Sequence, residues 1–243
     1  MSPDGPVMLL VGGTGSIGGA IAVQALAAGW CVVIHGRREP LFASEDRVGT
    51  VSADLSEPLA ARRLLEEAVM VFGRIDAVID CVTGGPPGVT GRFGATDPQG
   101  YAGLLDASVG HFQRLANAAL PWLVRQGGTL IAFASDAGVF AAPGQSIIGA
   151  SRAAIIGFVR NLAVEVACDG VRVHCISPSY VEGSASLTRT EARDPARVAK
   201  ARARAGLGLP TPHDIAPLVL FLCDEGAKRI TGQVISINGG LNA

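Results

Sequence analysis

The chain has 243 residues, 49% hydrophobic and 17% charged, with a formal net charge of −1 and a mean hydropathy of +0.38. That balance excludes a disordered or fibrous chain and leaves no overall basic field, so neither nucleic acid nor a membrane surface is expected as a partner. The length suits one α/β domain, residues 1–243, with a large core.

Short apolar runs alternate with longer helical patterns from end to end. Residues 7–11 predict a buried strand, 18–28 a helix, and 31–34 and 48–53 two further strands. An amphipathic helix follows over 58–72, then a strand over 77–82, a long helix over 101–124 and a strand over 129–134. Residues 146–166 predict a helix, 171–176 a strand, 212–222 a helix and 233–237 a last strand. Strands separated by helices imply βαβ units. The expected fold is therefore α/β, a single doubly wound, Rossmann-type parallel sheet with helices on both faces. Two segments break the rhythm, the Gly- and Pro-rich stretch 84–100 and the basic stretch 184–206. Ligands approach such sheets at the carboxyl edge, so both are candidate substrate walls, the second a lid.

The five cysteines, Cys31, Cys81, Cys168, Cys175 and Cys223, are scattered and form no Cys-x-x-Cys pair. Free buried thiols in a reducing compartment are expected, and no metal site. Residues 1–6 carry neither a basic region nor an apolar signal core, so a cytoplasmic location is the default expectation.

Between the first strand and the first helix stands Gly12-Gly13-Thr14-Gly15-Ser16-Ile17-Gly18. Glycines here permit a tight turn and a close approach of backbone to a pyrophosphate, which the free N–H groups at the helix start would hold. The bland alternative is a tight turn with no ligand.

These residues, with the elements around them, carry a resemblance to the short-chain dehydrogenase/reductase family over nearly the whole chain. The family's Thr-Gly-x-x-x-Gly-x-Gly falls on Val11, Gly12, Ser16 and Gly18, so Ser16 departs from the pattern. At the end of the second strand an acidic residue would favour NAD(H). Gly36 stands there, followed by Arg37 and Arg38, whose guanidinium groups suit a 2′-phosphate. The resemblance thus implies NADP(H) ahead of NAD(H), with no bound cofactor as the remaining alternative. Asp54 and Leu55 match the family's adenine contact after the third strand, although an Asp there is also a routine cap. Pro178 and Val181 match its loop against the nicotinamide.

The reaction site departs further. The family's Asn-Asn-Ala-Gly falls on Asp80-Cys81-Val82-Thr83, its helical asparagine on Ser108 and its serine on Ser135. Its tyrosine and lysine fall on Ile148 and Arg152. The only tyrosines are Tyr101 and Tyr180, the only lysines Lys200 and Lys228, and no pair has the four-residue spacing. Isoleucine can neither give nor take a proton, and arginine is never a practical proton carrier. Tyr180 is read as a wall of the substrate site or as a replacement acid. Asp136 is a turn cap or an acid, His111 either faces the pocket or is a surface or packing residue, and His174 is structural.

Three functions follow. The first is an atypical oxidoreductase acting on hydroxyl, carbonyl or acyl-carrier thioester substrates. The second is a silent subunit of a hetero-oligomer with an active homologue. The third is a non-redox enzyme on the same scaffold. The resemblance also implies a homo-oligomeric or hetero-oligomeric assembly.

Overall fold

The computed structural model describes residues 5–36, 46–57, 59–82 and 88–242. Seven strands, β1 (Val7–Val11), β2 (Cys31–His35), β3 (Val48–Val51), β4 (Ala77–Asp80), β5 (Thr129–Phe133), β6 (Arg172–Pro178) and β7 (Val234–Ile237), form one sheet in the order β3-β2-β1-β4-β5-β6-β7. Every pairing is parallel. Parallel strands are covered on both faces, which is why β1, β2, β4 and β5 are buried at every position.

Successive side chains leave a strand on opposite faces. Val7, Leu9 and Val11 therefore join one core, with α2 (Ala60–Phe72), α4 (His111–Leu123) and α5 (Ser146–Glu165). Met8 and Leu10 join the other, beneath α1 (Ser16–Ala27) and α8 (Pro212–Cys223). The chain runs outward from β1 to β3 and then returns to β4. The strand order thus reverses between β1 and β4, and the crevice outside their carboxyl ends is the default ligand site.

The predicted helix over 101–124 is instead α3 (Gln99–Leu105), a π turn over Asp106–Gly110, and α4. Ser108 lies in that turn and donates its hydroxyl to the Leu104 carbonyl at 2.7 Å. A side-chain donor on a helical carbonyl competes with the regular backbone ladder there. The predicted lid is two short helices, α6 (Ala185–Arg193) and α7 (Pro195–Arg204). The break falls at Asp194, which accepts the Arg197 N–H at 3.0 Å and precedes a proline at the first position of α7. Among the described residues α5 is the one helix long and apolar enough, by length and composition, to cross a membrane. Here its inner face packs Ile155, Val159 and Leu162 into the sheet's core.

Candidate active site

The turn after β1 depends on two kinds of glycine. Gly12 has φ +73°, and a Cβ there would lie 3.2 Å from the Cys81 carbonyl carbon and the Val82 nitrogen. Gly18 lets α1 press onto the turn, since its Cβ would stand 2.5 Å from the Gly13 Cα. Gly15 is the extended residue before α1 and gives no side-chain cap, and the first helical bond is Gly19 N–H to the Gly15 carbonyl at 2.8 Å. The N–H groups of Ser16, Ile17 and Gly18 have no protein acceptor among the described residues. Three free donors at the positive end of a helix suit an anionic phosphate. Ser16 is exposed, lies within α1 and needs no positive φ, so replacing the family's glycine costs no backbone strain.

His35, at the end of β2, clamps this turn. Its Nδ1 accepts the Gly12 N–H at 3.2 Å, while Nε2 lies 3.0 Å from the Ala53 carbonyl after β3. The ring is therefore neutral with its proton on Nε2. Burial holds its pKa below the usual histidine range, against the upward pull of the Ala53 bond. Beyond it, a Cβ on Gly36 would stand 2.3 Å from Thr14 Oγ1. The Thr14 side chain occupies the space that an acidic residue at 36 would need. Arg37 and Arg38 lie outside the described residues. Asp54 is exposed, and its Oδ1 accepts the Ser56 N–H at 3.0 Å and hydroxyl at 2.7 Å, which makes it a turn cap. Leu55 packs against the core.

At the candidate reaction site, Ser135 lies two residues beyond β5 in extended conformation, half-buried, with its Oγ accepting the Ala137 N–H at 3.4 Å. Ile148 is the third residue of α5, four residues ahead of Arg152, and is half-buried. Arg152 is 8% exposed and has no hydrogen-bond partner among the described residues. Burial lowers its pKa, and Asp80 opposes that shift. Ser108 is buried with its hydroxyl committed to Leu104, so it does not take over an asparagine's role as a donor into the crevice.

Asp136 is a structural anchor. Its carboxylate accepts from Ser236 at 2.8 Å, Asn238 at 2.6 Å, Asn242 at 3.2 Å and Ser177 at 3.5 Å. Four donors from β6, β7 and the C-terminal segment leave the carboxylate no free face for an incoming substrate. Pro178 ends β6, and Val181 is buried in the α1 and α8 core.

Tyr180 packs against Ala201, Ala205 and Leu241, and its hydroxyl accepts from Arg197 Nε at 2.7 Å. Residues 197, 201 and 205 share one stripe of the α7 region, so the phenol lies along α7 and is fastened to it. No hydrogen bond joins that hydroxyl to Ser135. Two further ties hold α6 and α7: Arg193 donates to Thr90, and Arg202 bridges Glu182 and Glu191. Arg202 holds the Glu182 carboxyl below the usual range.

Sequence reasoning weighed His111 as a pocket residue and missed its buried partner, Asp80. His111 Nε2 lies 3.2 Å from Asp80 Oδ1, which also accepts the Val82 N–H at 3.1 Å. His111 is 4% and Asp80 6% exposed. The available signal was an acidic residue ending a strand that is otherwise wholly apolar.

Residues 12–242 match a family model described as enoyl-(acyl carrier protein) reductase. An uncharacterized oxidoreductase of Mycobacterium tuberculosis, MT0954, is 31% identical over 98% of this chain and 92% of its own length. Among solved structures, a 3-ketoacyl-(acyl-carrier-protein) reductase from Brucella melitensis complexed with NADH superposes with TM-score 0.87 at 22% identity, covering 98% of this chain and 99% of that one. The protein ElxO with NADP bound gives TM-score 0.83 at 21% identity, covering 98% of each chain.

Proposed function

The chain belongs to the short-chain dehydrogenase/reductase family, and from that premise we propose that it is an NADP(H)-binding oxidoreductase working without the family's tyrosine and lysine. The observation that carries the reading is the set of free N–H groups on Ser16, Ile17 and Gly18 beyond the Gly12 turn. NADP(H), when bound, supplies or accepts a hydride. Ser16 to Gly18 hold its pyrophosphate through backbone N–H groups and the α1 dipole. Thr14 packed over Gly36 keeps a carboxylate away from the adenosine ribose, which favours a 2′-phosphate over a free hydroxyl. Arg152 offers its unpartnered donors to the nicotinamide ribose.

On the substrate side, Ser135 presents a hydroxyl to a substrate oxygen. Ile148 presents hydrocarbon where the family's phenol stands. Loss of a positioned general acid costs about 10²–10⁴ in rate. The site therefore suits a substrate whose reduction draws its proton from water, such as a conjugated alkene of an acyl thioester, better than a simple ketone. Both NADP-bound and NADH-bound proteins are among its structural neighbours.

A second reading, a silent subunit beside an active homologue, is favoured by Ile148 together with the Tyr180 hydroxyl fastened to Arg197. The open groove of about 470 Å³ between the 137–143 loop and the first turns of α5 would then lie against the partner. Fluorescence titration of the purified chain with NADPH and NADH separates the two. Saturable binding, tighter for NADPH, by a homo-oligomer supports the enzyme. No binding, with a homologue co-purifying, supports the silent subunit.

A further inference from the structure

Three connections leave the carboxyl ends of β4, β5 and β6, and two arginines of α6 and α7 meet all three. Gly91, after β4, donates its N–H to the carbonyl of Gly144, after β5, at 2.8 Å. Beside it, the Thr90 hydroxyl accepts from Arg193, the last residue of α6. Arg197, in the first turn of α7, donates Nε to the hydroxyl of Tyr180, after β6, at 2.7 Å. Its Nη1 stands 3.6 Å from where a Cβ on Gly144 would lie, and the Gly91 carbonyl oxygen is equally far from that point. Gly144 has φ +78°, so the chain turns there with no side chain to push the guanidinium away. The connection through Gly144 is the one that runs from Ser135 to α5 and Ile148. Both arginines therefore border the substrate side of the carboxyl-edge crevice.

Their charge is not balanced locally. The segment 184–206 holds six Arg or Lys and two acids, Glu191 and Asp194. Arg202 takes Glu191 together with the nearby Glu182. Asp194 caps α7 by accepting the Arg197 backbone N–H. Among the described residues no carboxylate forms an ion pair with Arg193 or Arg197. Each guanidinium has five donors, and each spends one on a neutral hydroxyl. Bonds from a guanidinium to a carboxylate or phosphate are roughly twice as strong as neutral ones, and often bidentate. Nor does helix stability account for Arg197, because a cation in the first turn opposes the helix dipole.

We propose that Arg193 and Arg197 clamp an anionic group, a carboxylate or a phosphate, on the tail of the substrate. This names a substrate class for the oxidoreductase reading above and rests on it.

The test is calorimetric titration of four crotonyl thioesters into the protein saturated with NADP⁺. One pair is S-crotonyl-3-mercaptopropionate and its amide, the other S-crotonyl-4′-phosphopantetheine and S-crotonyl-pantetheine. In at least one pair the anionic member binds at least fivefold tighter than the neutral one. Preference in the first pair marks a free-acid tail, and in the second a phosphorylated carrier. Arg193→Gln combined with Arg197→Gln brings that ratio within twofold and leaves the neutral member within twofold of wild type. Arg125→Gln, at the amino edge of the sheet, leaves the ratio intact. A ratio below fivefold in both pairs, no binding of any thioester, or a ratio that survives the double variant overturns the clamp. Should the double variant not fold, Arg193→Gln alone, at an exposed position, decides by at least halving the ratio. A wild type that binds no NADP⁺ overturns the oxidoreductase reading instead, and the same ratios measured without nucleotide then decide the clamp.

Discussion

The side chain of Thr14 fills the space above Gly36, where a Cβ would meet its Oγ1 at 2.3 Å and its Cγ2 at 2.4 Å. The two positions are therefore coupled. Gly36→Asp alone forces the turn apart and lowers stability by about 1–3 kcal/mol, as overpacking does. Combined with Thr14→Gly, the same aspartate fits and takes the ribose hydroxyls. The double variant should prefer NADH to NADPH at least tenfold, read by fluorescence titration. A single Gly36→Asp variant that folds normally and switches preference would show that Thr14 is not the obstacle.

Stability should fall with acid in the histidine range. His174 is fully buried with both ring nitrogens unpartnered among the described residues, and burial, then Arg172, lowers its pKa to about 4. Burial also lowers that of His35. Unfolded, each takes a proton near the usual value of about 6.5. Between those values the unfolded chain binds more protons, so stability is complete above about pH 6.5 and drains as pH falls toward about 4. For His174 alone the loss is on the order of 3 kcal/mol. Urea midpoints measured across that range should fall, and fall less in His174→Leu. A midpoint independent of pH would contradict the buried neutral rings.

Asp136 gathers donors up to 106 residues away in sequence. Asp136→Ala strands the amides of Asn238 and Asn242 and should cost about 2–4 kcal/mol in chemical unfolding. The C-terminal residues should also become open to carboxypeptidase. A loss below about 0.5 kcal/mol, the usual surface value, would mean the network contributes nothing.

Tyr180 serves the lid on this account. Tyr180→Phe removes the acceptor of Arg197 and should loosen α6 and α7 by about 1 kcal/mol. Tryptic cleavage at the lid arginines should accelerate several-fold while NADPH affinity stays within twofold. An unchanged cleavage rate, with NADPH oxidation abolished, would assign Tyr180 to the chemistry instead.

The sheet was legible because buried parallel strands read as continuous apolar runs, and the glycine turn because its spacing demands a strand before it and a helix after. The π turn was not, because the helical periodicity of 101–124 runs through it unbroken. Nor were the pairs His111 with Asp80, 31 residues apart, and Tyr180 with Arg197, 17 apart. Periodicity reports which face a residue takes, not which distant polar group meets it. Asp136 shows the limit most clearly. Its sequence neighbours suggest a local cap, and its partners come from β6, β7 and the chain end.

The central claim is that hydrocarbon at Ile148 leaves the site without a proton donor. The direct measurement is NADPH oxidation with a small activated diketone, diacetyl, by the wild type and by Ile148→Tyr combined with Arg152→Lys. Restoring a positioned acid should raise the rate by about 10² or more. A wild-type rate that the double variant does not exceed would contradict the account.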